Sequence, residues 1–321
     1  MSTTKMGPDW LDKRIQNKEV VIIDGGMGTE LQKRGMPMDA TGWCGLAQFS
    51  HPELVRTIHE DYIRAGADLI ITNTFACARN VLEPMGFGER VIEANRKAVQ
   101  LAKEARANAA DRPIAIAGSI SNMIADSQDH DFIGKVKSDP KWRHPEVLRS
   151  TYREIADTLA ESGVDLIALE MIQRIELLWP TVEAAVATGL PVWIGLSVKR
   201  RKSDQAWAPF EYDDVSALPL FDETPKMGAG LVAVMHSPVH DTGPGLAEVK
   251  KRWRGPLGAY PESGGFVMPN WQFKDIVSPE ELAEAARGWV AQGCQIVGGC
   301  CGTGVEHVRA LKSELPAKLP V

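Results

Sequence analysis

Eight short apolar runs recur along this chain, most of them followed by a longer stretch of helical periodicity. The runs are VVIID (20–24), DLIIT (68–72), IAIAG (114–118), DLIALE (165–170), VWIGLS (192–197), GLVAVM (230–235), PLGAY (256–260) and QIVGG (295–299). Most are apolar without alternation, which marks parallel strands covered on both faces. Between them, PELVRTIHEDYIRA (52–65) places Leu54, Ile58, Tyr62 and Ala65 on one helical face, with Ser50-His51-Pro52 as a start and Gly66 as a stop. Residues 88–110, 145–162, 176–189 and 279–293 carry similar patterns. AGAD (65–68), SGVD (162–165) and AQGC (291–294) repeat one device: a helix ends, glycine turns the chain, and a strand begins. Eight such units predict an α/β chain folded as a closed (β/α)8 barrel. An open doubly wound sheet is disfavoured, because DGGMGTE after the first strand lacks GxGxxG spacing. No linker divides the chain, so a single domain over 1–321, with its core at about 18–312, is expected. Segments 119–144 and 260–278 are too long for simple connections and should lie as loops over one barrel face.

Composition removes several function classes. The net charge is −6 and basic residues form no stripe, so no nucleic-acid partner is expected. The one basic cluster, Lys199-Arg200-Arg201-Lys202, reads as a solvated loop. No apolar run approaches the ~18–20 residues that span a bilayer, and the N-terminus lacks the apolar region of a secretory signal. Five cysteines is a low, odd count that argues against a disulfide framework. A reducing cytoplasm fits, where free thiols serve metal binding or catalysis.

A barrel places its chemistry where its strands end. Here those ends read Asp24-Gly25-Gly26, Asn73 with Phe75, Ser119, Glu170, Ser197, His236, Tyr260 and Cys300-Cys301. Each has a plain structural alternative: Asp24 as a turn acid, Asn73 as a loop cap, Glu170 in an ion pair, His236 as a hydrogen-bonding residue. Adjacent cysteines seldom form a disulfide, because the ring is strained. Three readings stay open for them: inert buried thiols, a redox pair, or metal ligands. Two thiolates do not close a zinc site alone. With His236 they form a Cys2His set that leaves a fourth position open, as in catalytic zinc sites.

The phrases IDGGMGTELQKRG (23–35), AGADLIITNTF (65–75), SGVDLIALE (162–170), PVWIGLS (191–197), AYPESG (259–264) and GGCCGTGVEHV (298–308) resemble the homocysteine S-methyltransferase family over about 18–312. The resemblance implies a barrel enzyme that moves a methyl group from a small sulfonium or ammonium donor to the thiol of homocysteine, giving methionine. It implies Zn2+ as cofactor, held in the family by a cysteine after strand six and by both cysteines of GGCCG. It implies that the DGG segment binds the amino-acid backbone, that Glu170 receives the ammonium group, and that Trp43 lines the donor site. Asp24 and Glu170 are thus the expected catalytic acids. Asp24, Gly25, Gly26, Trp43, Asn73, Phe75, Ser119, Glu170 and Tyr260 are the expected substrate contacts, and His236, Cys300 and Cys301 the expected metal ligands. Phe75, Tyr260 and Trp271 could extend an aromatic wall that attracts an onium cation. Expected partners are a small-molecule thiol acceptor and methyl donor, in a monomer or small homo-oligomer.

The sequence departs from the family at one critical point. Strand six usually ends in Asn-Cys, and here it reads Met235-His236. The first zinc cysteine is therefore a histidine, which leaves a Cys2His site with one negative charge fewer, and His240 is a weaker second candidate. The alternative is a diverged member with altered or absent metal, acting on another donor or acceptor, or a metal-free small-molecule-binding barrel.

Overall fold

The computed structural model describes residues 4–39, 42–122, 140–267 and 272–320. Eight strands form one sheet: β1 Val21–Ile22, β2 Leu69–Ile71, β3 Ala115–Ser121, β4 Leu166–Ile172, β5 Val192–Leu196, β6 Leu231–Pro238, β7 Leu257–Glu262 and β8 Cys294–Val297. Every neighbour is parallel, in the order β1-β8-β7-β6-β5-β4-β3-β2. A parallel bridge from Ile23 to Leu69 closes the ring. Helices α1 Pro52–Ala65, α2 Val91–Ala109, α3 Pro145–Glu161, α4 Ile175–Val186, α5 Leu218–Glu223, α6 Val239–Lys250, α7 Pro279–Ala291 and α8 Val305–Glu314 follow the strands in turn. This is the expected (β/α)8 barrel. Among the described residues no helix is long and apolar enough to cross a membrane.

Two apolar layers hold it. The outer one lies between strands and helices, where Ile70, Ile167, Ile194 and Val232 meet Ile58, Val99, Ile155 and Leu246. The inner one fills the barrel with small residues (Ala115, Ala117, Ala168, Ala233) around Trp193, Met235 and Tyr260. Its floor is a helix that sequence periodicity does not reveal, Asp9–Gln16, which buries Leu11 and Ile15. The Trp193 indole N–H donates to the Met6 carbonyl at 2.7 Å and pins that segment. Eight residues with two inward apolar positions give too weak a period to read.

The β1/β2 seam has few ladder bonds, and two carboxylates reinforce it. Asp24 Oδ2 accepts from Ile71 N at 2.8 Å, and Asp68 Oδ2 accepts from Ile22 N at 3.0 Å. Asp68 is buried and pairs with Arg14 at 2.9 Å. Removing one partner of a buried pair costs about 3–5 kcal/mol. Because Arg14 is partly exposed, Asp68→Ala is expected to lose the lower part of that range, about 3 kcal/mol, in urea unfolding. A loss below ~1 kcal/mol would mean that the ladder alone closes the barrel.

Three local readings need correction. β3 continues through Ser119 to Ser121, because these serines point to polar partners inside the mouth. Lys199 and Arg200 are not loop residues: Val198–Arg200 pairs antiparallel with Trp207–Pro209, with Lys199 half-buried against Asp213 and Phe210 and Arg200 exposed over Trp207. Within 260–278, β7 runs to Glu262 and Gly265–Val267 pairs with Gln272–Lys274. Residues 123–139 and Trp271 lie outside the described residues.

Candidate metal centre and active site

The strand ends converge on one mouth. β6 delivers His236 with φ at +40°, a left-handed conformation that costs a non-glycine residue about 1–3 kcal/mol. Side chains hold this turn. Ser197 Oγ donates to the His236 carbonyl at 2.6 Å, and Val198 N donates to Ser237 Oγ at 2.9 Å. Phe210, brought in by the segment after the Val198–Pro209 hairpin, packs edge-on against the imidazole at 4.9 Å. From β8 the chain enters Cys300-Cys301, which β7 clamps: Cys300 N donates to the Pro261 carbonyl and Ser263 N to the Cys301 carbonyl, both at 2.8 Å. Gly302 is required there. Its φ is +79°, and a Cβ would sit 1.8 Å from the Ser263 carbonyl oxygen.

The three side chains form one cluster. Cys300 Sγ lies 3.6 Å from His236 Nδ1 and 4.0 Å from Cys301 Sγ, and the three ligand atoms lie within 4.8 Å of one another. Tetrahedral zinc with ordinary bond lengths sets sulfur–nitrogen and sulfur–sulfur edges of about 3.6 and 3.8 Å. The donor set therefore fits zinc in chemistry, and its two edges from Cys300 Sγ fit in spacing. The other thiols are engaged elsewhere: Cys44 Sγ donates to Asn73 Oδ1 at 3.3 Å, and Cys77 and Cys294 are buried against backbone carbonyls. His240 is exposed beside Asp241 and stays outside the cluster.

The cluster holds protons firmly. Contact with Cys301 and burial push the Cys300 thiol well above its usual range, against the pull of His236. Burial lowers the His236 imidazole, but Cys300, Glu262 and Glu211 outweigh it and raise the group to about 9.

Two acids lie at this end of the barrel, Glu170 on the cavity wall and Asp24 buried close by. Glu170 is raised to about 7 by burial, although Ser119 Oγ donates to it. Asp24 is pushed well above the carboxylate range, first by burial and further by Glu170, against the bond from Ile71 N. The pair thus favours a cation in the mouth, which would restore both carboxylates to their charged form. Met171, after Glu170, has φ at +56°.

Gly25, Gly26, Trp43, Asn73, Phe75, Glu170, Tyr260 and the three cluster residues line one cavity of ≈ 70 Å3. By the ~10–15 Å3 a single water requires, that is room for about five to seven waters. Trp43 (φ +52°) meets Phe75 edge-on at 5.9 Å. Tyr260 is buried in the barrel core below them. The Asn73 amide faces the 44–48 segment, donating to the Cys44 carbonyl at 3.0 Å and Gln48 Oε1 at 2.9 Å. Its side chain positions the Trp43 segment. Ser119 stands behind Glu170 rather than at the cavity surface.

Gly28 explains where the indole sits: a Cβ there would lie 2.1 Å from Trp43 Cζ2. Gly28→Ala is therefore expected to displace the indole from the cavity wall, with a shift in tryptophan fluorescence and the melting temperature little changed. Unchanged fluorescence would mean that the helix bearing Gly28 yields and the indole stays in place.

A family model for homocysteine S-methyltransferase matches residues 21–315. The chain belongs to the homocysteine S-methyltransferase family. It is an enzyme of the methyltransferase class. It is 28% identical to a selenocysteine methyltransferase of Astragalus bisulcatus, over 92% of either chain. It is 27% identical to the homocysteine S-methyltransferase of Escherichia coli K12, over 93% of this chain and 96% of that protein. The crystal structure of the homocysteine methyltransferase MmuM from Escherichia coli, in its metallated form, shares the fold with a TM-score of 0.72 at 23% identity, covering 95% of this chain and 99% of that one. Within this family frame, sequence reasoning missed Phe210, Glu262 and Gly28. Glu262 stood inside the quoted AYPESG, but nothing in the sequence paired it with His236. Phe210 carried no signal at all.

Proposed function

We propose that the protein is a zinc-dependent methyltransferase that moves a methyl group from a small sulfonium or ammonium donor to the thiol of homocysteine, giving methionine. The clustering of His236, Cys300 and Cys301 carries this reading, because the two edges from Cys300 Sγ are close to those of a tetrahedral zinc site and all three ligand atoms lie within 4.8 Å of one another. These three residues would hold the ion, which supplies the Lewis acidity that keeps the acceptor thiol deprotonated at neutral pH.

The other residues bind and align. Glu170 receives the acceptor ammonium while Ser119 fixes its carboxylate. Gly25 and Gly26 border the same cavity and meet the amino-acid end of the acceptor, and Asp24, buried next to them, holds this segment to Ile71 N. Trp43 and Phe75 present ring faces and edges to the donor, attracting its positive charge by cation–π forces while excluding water. In the transfer, the new sulfur–carbon bond forms as the onium–carbon bond breaks. The donor leaves neutral, and no proton need move at the methyl carbon. Alignment of acceptor, methyl and leaving atom is then the main contribution of the chain.

Likeness to plant selenocysteine methyltransferases, at 28% and 26% identity over 92% of this chain, supports a selenol as a second acceptor. The test is a panel of acceptors (homocysteine, selenocysteine) against donors (S-methylmethionine, betaine, methylfolate) with zinc-loaded protein. Methionine formed from an onium donor, lost on chelation and regained with zinc, is expected. No transfer to either acceptor would instead support a diverged, small-molecule-binding barrel.

A further inference from the structure

The His236 imidazole presents its two nitrogens to two different groups. Nδ1 faces Cys300 Sγ at 3.6 Å, and Nε2 faces Glu262 Oε2 at 4.0 Å. Both side chains are nearly enclosed, each 13% exposed. Among the described residues, His236 is the one cationic group within ion-pair distance of Glu262. Glu211 is the other acid nearby, but it is committed to Gln173, whose Nε2 donates to its Oε2 at 3.0 Å. Glu262 is also carried on the backbone that holds the thiols. It ends β7 between Pro261, which accepts from Cys300 N, and Ser263, which donates to the Cys301 carbonyl. In register it sits opposite Pro238 of β6, two residues past His236.

We propose that Glu262 is a positioning residue of the metal centre: it accepts the Nε2–H of His236, commits Nδ1 to the metal, and restores the negative charge that a histidine at 236 withholds. The inference rests on the zinc reading above. Three thiolates around a divalent cation leave one net negative charge, and two thiolates with a neutral imidazole leave none. A carboxylate against that imidazole returns the balance to one negative charge. Metal-bound histidines usually donate their free N–H to a carboxylate or carbonyl, and losing that partner commonly weakens metal binding about 10–100-fold. The 4.0 Å gap needs to close by only about 1 Å to reach hydrogen-bond length. Phe210, edge-on to the ring, keeps the imidazole facing in that direction.

The test is zinc affinity by chelator competition, with nitrogen-15 spectra of the histidine rings in the zinc-loaded protein. In the wild type, His236 is expected to be metallated at Nδ1 and protonated at Nε2. Glu262→Gln should weaken zinc binding about 10–100-fold, and Glu262→Asp should recover part of the loss. In a His236→Cys background, Glu262→Gln should not weaken zinc at all, because the carboxylate then faces a third thiolate. Unchanged zinc affinity in Glu262→Gln overturns the inference. So does Nε2 metallation, or an equal loss in the His236→Cys background. A wild type that binds no zinc overturns the metal reading first, and this inference with it.

Discussion

His236→Ala is expected to lose zinc and methyl transfer together, with affinity falling by more than ~100-fold, the upper end of what even an outer partner costs. Two thiolates alone do not close a zinc site. His236→Cys is expected to hold zinc at least as tightly as the wild type, because it supplies a third thiolate at the same strand end. Loading should also depend steeply on pH. The metal-free cluster keeps its protons, with Cys300 raised by Cys301 and burial and His236 raised to about 9, so zinc must displace them. Affinity therefore falls as pH drops below about 9, by roughly tenfold per unit for each proton released. Chelator competition across pH checks this. A flat profile would mean that the cluster does not hold the ion.

Glu170→Gln is expected to raise KM for homocysteine by about 1.5–3 kcal/mol, roughly 10- to 150-fold, the range of a charge-assisted hydrogen bond. A thiol lacking the amino group should be used equally well by both proteins. The pH dependence has a definite sign. Free Glu170 titrates near about 7, and only its carboxylate attracts the ammonium. KM for homocysteine in the wild type should therefore rise as pH falls below about 7, and Glu170→Gln should abolish that limb. The stability sign runs the other way. A carboxyl raised on folding destabilises the native state as pH climbs above its unfolded value, so the Gln variant should be no less stable at pH 8. An equal KM loss for both thiols would make Glu170 structural.

Fold legibility followed from burial. Strands covered on both faces must be apolar throughout, so eight uninterrupted runs could be counted and closed into a barrel. The site was legible wherever a polar residue ended such a run: Glu170, His236 and Cys300-Cys301 reach one mouth because strand ends share one face, with Asp24 buried close by. Its supports were not. Phe210 arrives through an antiparallel pair whose strands have three residues each, too short to show a period. Glu262 approaches His236 across two neighbouring strands, a contact fixed by register rather than by spacing along the chain. Asn73 borders the cavity, but the partners of its amide, Cys44 and Gln48, lie 29 and 25 residues away in the chain and are fixed by the fold.

Zinc K-edge absorption of the loaded protein, without and with homocysteine, tests the central claim most directly. Without homocysteine, two sulfur scatterers and one imidazole should surround the metal, from Cys300, Cys301 and His236. Homocysteine should add one sulfur, because the open position takes the acceptor thiol. No zinc in the loaded protein, or a sulfur count unchanged by homocysteine, would contradict a thiol methyltransferase built on these three residues.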